Sequence, residues 1–118
     1  MFKTVEHEER FVDFLKKHSE AAFNSKQIAY LYVIASLPID LNIVKQYIKQ
    51  PTKLSEYQMQ LHELALNLLG DKVQNCELKD LLMLEPEDLK MMLNAITIAA
   101  NKVTFLLSDQ GVKYYKGI

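Results

Sequence analysis

The three prolines of this chain stand at positions 38, 51 and 86, and the apolar residues between them recur every three or four positions. Glycine is as scarce, with three residues, two of them among the last eight. Few backbone breakers combined with a helical period predict helices joined by short loops. Each proline also falls where a periodic run stops or starts, which is where proline is tolerated.

Six segments follow from that punctuation. The first runs from Val5 to His18, with Thr4 as N-cap, acids in its first turn and Phe11, Phe14 and Leu15 as the buried stripe, flanked by Val5 and Val12. The second, Lys26 to Leu37, follows Asn24 or Ser25 as cap and is apolar almost all round, which places it in the core. A strand competes with a helix there, but the length favours a helix. The third, Leu41 to Gln50, is capped by Asp40 and turns Ile43, Val44, Tyr47 and Ile48 inward. The fourth, Glu56 to Leu69, opens with the capping-box spacing of Ser55 and Gln58 and stops at Gly70. A short fifth spans Glu77 to Leu84. The sixth starts at Pro86 and carries Leu89, Met92, Leu93, Ile96, Ala99, Ala100 and Val103 at helical spacing.

Residues 103–118 change character. Two β-prone runs flank Ser108-Asp109-Gln110-Gly111, so the tail reads either as a short C-terminal β-hairpin or as an extension of the sixth helix followed by an arm. The expected fold is mainly α: one domain over 1–118, a compact bundle of five to six helices, with that hairpin as an open addition. A chain of 118 residues supports one core without staples.

The single cysteine, Cys76, allows no internal disulfide, and the acidic N-terminus does not read as a signal peptide. The longest apolar-dominated run, Ile28 to Leu37, is far short of the roughly 20 residues that a membrane span requires. A cytoplasmic location and no membrane partner are the expectations.

Catalytic patterns fail one by one. His7-Glu8-Glu9-Arg10-Phe11 lacks the second His that a zinc-protease helix requires four residues on. No His has a Glu three residues before it, as a di-iron bundle requires. Cys76 lies beside Glu77 and near Asp80, which raise rather than lower a thiol pKa. Glu6 and Glu9 suit the helix dipole and a Glu6–Arg10 pair, and Glu85, Glu87 and Asp88 suit the start of the sixth helix. No Gly-rich loop exists to cradle a phosphate. The expectation is a non-enzyme with no metal or cofactor. A deep polar pocket lined by His7, Glu8 or His62 would reopen the question.

Charge is uneven although the net is −1. Residues 26–55 carry four lysines and one aspartate, and residues 56–101 three lysines and eight acids. The second and third segments resemble a helix–turn–helix pair, whose exposed residues Asn42, Lys45, Gln46 and Lys49 would meet a nucleic acid. Pro38 in the turn and a single arginine, Arg10, weigh against that. Protein binding has the better case. Tyr47, Tyr57, Tyr114 and Tyr115 are of the type that anchors interfaces, and the Tyr114-Tyr115 pair sits between Lys113 and Lys116. Met83, Met91 and Met92 suit either core filling or an adaptable surface. The candidate partner-binding residues are Tyr47, Lys45, Lys49, Tyr114, Tyr115 and Lys113.

His7-Glu8-Glu9-Arg10-Phe11 with Leu15, then Leu61-His62-Glu63-Leu64-Ala65-Leu66-Asn67-Leu68 leading to Gly70, then Leu84 and Asn94-Ala95-Ile96, together resemble a family of small uncharacterised proteins of Gram-positive bacteria and their phages. Those proteins begin with a His-Glu-x-Arg-Phe/Tyr helix and carry a Leu-Ala-x-Asn-Leu-x-Gly element before a closing helix. The resemblance implies a helical fold and a phage or mobile-element origin. It supplies no activity, and it ends before Phe105. It also implies a structural use for His7, Glu8 and Arg10, linking helix ends by charged hydrogen bonds. The function expected is an interaction module that binds another protein or itself, such as a phage-encoded modulator of a host protein. The alternative is a nucleic-acid-binding regulator using the Lys45/Lys49 face.

Overall fold

A computed structural model describes residues 2–18, 24–41, 53–70, 78–108 and 111–116. Five helices and one antiparallel strand pair lie among them. The helices are α1 (Val5–His18), α2 (Ser25–Ile34), α3 (Glu56–Leu68), α4 (Leu78–Leu82) and α5 (Pro86–Ala99), and the strands are β1 (Val103–Ser108) and β2 (Gly111–Lys116). The chain is mainly helical, as its period requires. Its radius of gyration is 13.4 Å, matching the roughly 13 Å of a compact chain of about this length.

Local signals start the helices. Thr4 caps α1, its hydroxyl accepting the His7 N–H at 3.0 Å. Asn24 and Gln27 form a reciprocal capping box on α2, and Ser55 and Gln58 do the same on α3. Each box satisfies two backbone donors that the first turn leaves orphaned. Pro86 occupies the first turn of α5. Gly70 closes α3 with a φ of +81°, in the left-handed region.

The core is built around α2. Residues Ala29 to Ala35 are all buried, and the helix packs against α5 on one side and α3 on another. Ser25 donates its hydroxyl to the Ala99 carbonyl at 3.1 Å. The start of α2 therefore meets the end of α5, and the two run antiparallel. Phe11, Phe14 and Leu15 of α1, Leu61, Leu64 and Ala65 of α3, and Met91, Met92, Ala95 and Ile98 of α5 complete the cluster. Met91 and Met92 are thus core filling, whereas Met83 is exposed.

Several boundaries differ from the sequence reading. The second helix ends at Ile34 rather than Leu37, because a turn over residues 35–38 that includes Pro38 takes over from it. Val5 points outward while Val12 is buried. The short helix spans Leu78–Leu82, and α5 stops at Ala99 instead of continuing to Val103. Asn101 breaks it by taking a φ of +59°, a conformation asparagine tolerates better than most residues. Val103 then opens β1, which pairs with β2 in the register Val103↔Lys116 to Ser108↔Gly111. The tail is a hairpin and not a helix extension. It lies against α5 through β1 and against α1 through β2, the packing that a two-stranded ribbon requires. The third segment, beyond Leu41, lies outside the described residues.

Candidate functional site

The polar chemistry of the fold gathers where the start of α1 meets the end of α2 and the start of α5. His7 sits at the third position of α1 with its ring buried. Its Nε2–H donates to the Tyr32 carbonyl at 2.6 Å, and its Nδ1 accepts the Lys3 N–H at 3.1 Å. A carbonyl can only accept and an amide N–H can only donate, so the two bonds fix the neutral tautomer. The arrangement resembles a capping box in which an imidazole replaces the usual Glu or Gln. Burial is the main cause that holds the imidazole pKa down at about 4. The Tyr32 carbonyl opposes it, and the positive charges of Lys3, Arg10 and the amino terminus add to the lowering.

One turn further along α1, Arg10 reaches across to the chain leaving α2. Its Nη1 donates to the carbonyls of Ala35, at 2.8 Å, and Leu37, and its Nη2 to the carbonyl of Ile39. A planar guanidinium with several fixed donors suits this task, and its charge meets the negative end of the α2 dipole. Arg10 is directed to these carbonyls rather than to Glu6, the partner its spacing suggests. Glu8 takes no part in the link.

Phe2 lies over this junction. Its ring centroid is 5.1 Å from His7, 5.7 Å from Phe11 and 5.6 Å from Tyr32. Beside it, the Lys3 ammonium pairs with Oδ1 of Asp88, a buried carboxylate on α5. That oxygen receives no directed hydrogen bond, so its partner is the charge of Lys3. The other oxygen, Oδ2, accepts the Tyr57 hydroxyl at 2.6 Å. Tyr57 in turn accepts the backbone N–H of Glu85 at 3.0 Å, the residue that precedes α5 and whose own side chain makes no capping hydrogen bond. Its phenol is pushed up to about 12, first by burial and then by the carboxylate. Tyr57 therefore ties α3 to the start of α5.

His62, the other described buried imidazole, shares a 3.0 Å hydrogen bond with the Tyr30 hydroxyl across α2 and α3. Burial lowers its pKa as well. Both imidazoles are buried and engaged by protein groups. A hollow of about 650 Å³ runs along α1, lined among the described residues by Val5, Glu8, Glu9, Arg10, Val12, Asp13 and Lys16. Of His7, Glu8 and His62, it is lined by Glu8 alone among the described residues. Among the described residues, no three His, Cys, Asp or Glu side chains form a group able to hold a metal ion. No described helix is long and apolar enough to cross a membrane.

Apolar exposure is concentrated on α4. Leu78, Leu82 and Met83 are 74%, 72% and 81% exposed, and the two leucines share a face at i,i+4. Leu93 and Ile96, at i,i+3 on α5, are also exposed.

The sequence-derived binding candidates fall elsewhere. Tyr47, Lys45 and Lys49 lie outside the described residues. Lys113, Tyr114 and Tyr115 occupy successive positions of β2, opposite Leu106, Phe105 and Thr104. The sequence reading missed the Lys3–Asp88–Tyr57 network, because its members are far apart in the chain and Asp88 is explained locally by the helix dipole. It also missed the exposed face of α4, where the i,i+4 leucines were the available signal. No family model, curated protein or solved structure matches this chain.

Proposed function

We propose that this protein is a non-enzymatic interaction module that binds another protein. The observation that carries the reading is the exposure of Leu78, Leu82 and Met83 on one short helix and the turn after it. Three large apolar side chains, each more than two-thirds exposed and close in sequence, are unusual on a surface without a partner. The unbranched, polarizable Met83 side chain also adapts readily to a partner surface. The resemblance to phage-associated proteins favours a host protein as the target, and a second copy of the chain is the other occupant to test. The Lys113–Tyr115 strand of the hairpin is a further candidate contact.

The test is affinity capture from bacterial cytosol with the wild-type protein and with a Leu82→Glu/Met83→Glu variant, each with and without nuclease. One stoichiometric protein that survives nuclease and is lost from the variant supports the reading. Equal capture by both proteins removes α4 as the contact surface. Material that disappears with nuclease moves the assignment to the Lys45/Lys49 face, favoured by the lysine excess of residues 26–55. Lys45→Glu/Lys49→Glu should then abolish the binding.

A further inference from the structure

We propose that Phe2 and Lys3 form an acid-released strap: protonation of His7 frees them from the α1–α2–α5 junction while the helical core stays folded. The strap is held at three points, by the Phe2 ring on His7, Phe11 and Tyr32, by the Lys3 N–H on Nδ1 of His7, and by the Lys3 ammonium on Asp88. Two of the three pass through the imidazole. A proton on Nδ1 would face the Lys3 N–H, setting donor against donor. Rotating the ring offers no escape, because Nε2–H is engaged by the Tyr32 carbonyl and the ring lies against both Phe2 and Tyr32, 5.0 Å from the latter.

The surroundings sharpen the effect. Lys3, Arg10 and the amino terminus, all cationic, act on His7 to disfavour its charged form. From α2 the imidazole meets the Tyr32 ring and carbonyl, and the α5 carboxylate tied to the same strap, Asp88, is paired with Lys3. Among the described residues, an imidazolium therefore enters a buried site whose nearby charges are cationic or already paired. The protein can move the charge to water by releasing the strap, which is the part of the junction without secondary structure. Release would uncover Phe11 and Tyr32 and leave Asp88 with Tyr57 alone.

The size of the effect follows from linkage. In the closed state the imidazole stays neutral down to about 4, against an ordinary value of 6.5. Between those limits the open state binds the extra proton, so the opening equilibrium rises by up to about tenfold per pH unit as pH falls.

Amide exchange measured by NMR between pH 7.5 and pH 4 tests this, with His7 ring shifts followed in the same samples. The expected result is a fall in Lys3 protection of up to about tenfold per pH unit, with the Phe2 ring resonances moving in parallel, while the Val33 amide in the core keeps its protection. His7→Gln should make Lys3 protection independent of pH. Asp88→Asn should leave the pH dependence in place, because it removes a different tie. Flat Lys3 protection in the wild type would overturn the proposal, as would loss of Lys3 and Val33 protection in a single step. A fall that persists in His7→Gln and vanishes in Asp88→Asn would assign the effect to the carboxylate and equally overturn it. Should His7→Gln fail to fold, the wild type decides alone, since the Lys3 amide must follow the His7 ring.

Discussion

At the scale of single residues, His7 makes stability depend on pH. Its folded pKa of about 4 lies below the ordinary 6.5, so the unfolded chain binds the proton more readily. The contribution is therefore complete above about pH 6.5 and is lost as pH falls toward 4. A shift of this size corresponds to about 3 kcal/mol, and His62 acts in the same direction. Denaturant midpoints should fall steadily from pH 7 to pH 4.5, and His7→Gln should flatten part of that slope. A wild-type midpoint that stays constant over this range would contradict the buried, neutral assignment. Gly70 gives a second residue-scale prediction. A Cβ there would meet no atom within 4 Å, but the φ of +81° disfavours any side chain. Gly70→Ala should cost about 1 kcal/mol through the backbone alone, readable as a lower Tm. Such residues were only partly legible in the sequence. The expected link by charged hydrogen bonds from His7, Glu8 and Arg10 is met by Arg10, whereas His7 ties α1 to α2 as a neutral imidazole and Glu8 stays outside the link. The acceptors of His7 and Arg10, on Tyr32 and beyond Ala35, are set by how the helices pack, and no local pattern announces that.

At the scale of elements, Arg10 decides how α2 ends. The helix stops before Pro38, and the carbonyls of Ala35, Leu37 and Ile39 turn toward one guanidinium. Arg10→Ala leaves all three without that donor and should cost about 3 kcal/mol. Arg10→Lys, which brings a point charge without the fork, should cost about half as much. Urea unfolding with unchanged m-values would read both, and equal stability of the lysine variant and the wild type would show that the fork geometry is unimportant. In the sequence the cap of α2 stood between Asn24 and Ser25, and the box of Asn24 with Gln27 decides for Asn24. The start of α3 was legible because Ser55 and Gln58 complete their signal within four residues. Helix ends were not. Val103 falls in phase with Ile96 and Ala99, so the period alone carries α5 too far. The break depends on Asn101 taking a left-handed conformation and on pairing with β2, neither of which the period records.

At the scale of the whole molecule, α2 is the axis on which the other elements depend, and α4 is the element with least at stake. Ile34 is fully buried among residues from several helices. Ile34→Ala removes apolar volume from the packed core and leaves a cavity, so it should cost roughly 2–5 kcal/mol. That is a large share of the total of about 5–15 kcal/mol expected for such a domain. If the helices share one core, circular dichroism and tyrosine fluorescence should report a single coincident transition, shifted equally in the variant. Leu82, 72% exposed on a five-residue helix, has little burial to lose. Leu82→Glu should therefore change stability by no more than about 0.5 kcal/mol. The two variants separate the interior from the proposed binding face: one weakens the fold as a unit, while the other leaves it intact and acts only through a partner. If Leu82→Glu proved as destabilising as Ile34→Ala, α4 would belong to the core, and its exposed leucines could not support an interaction module.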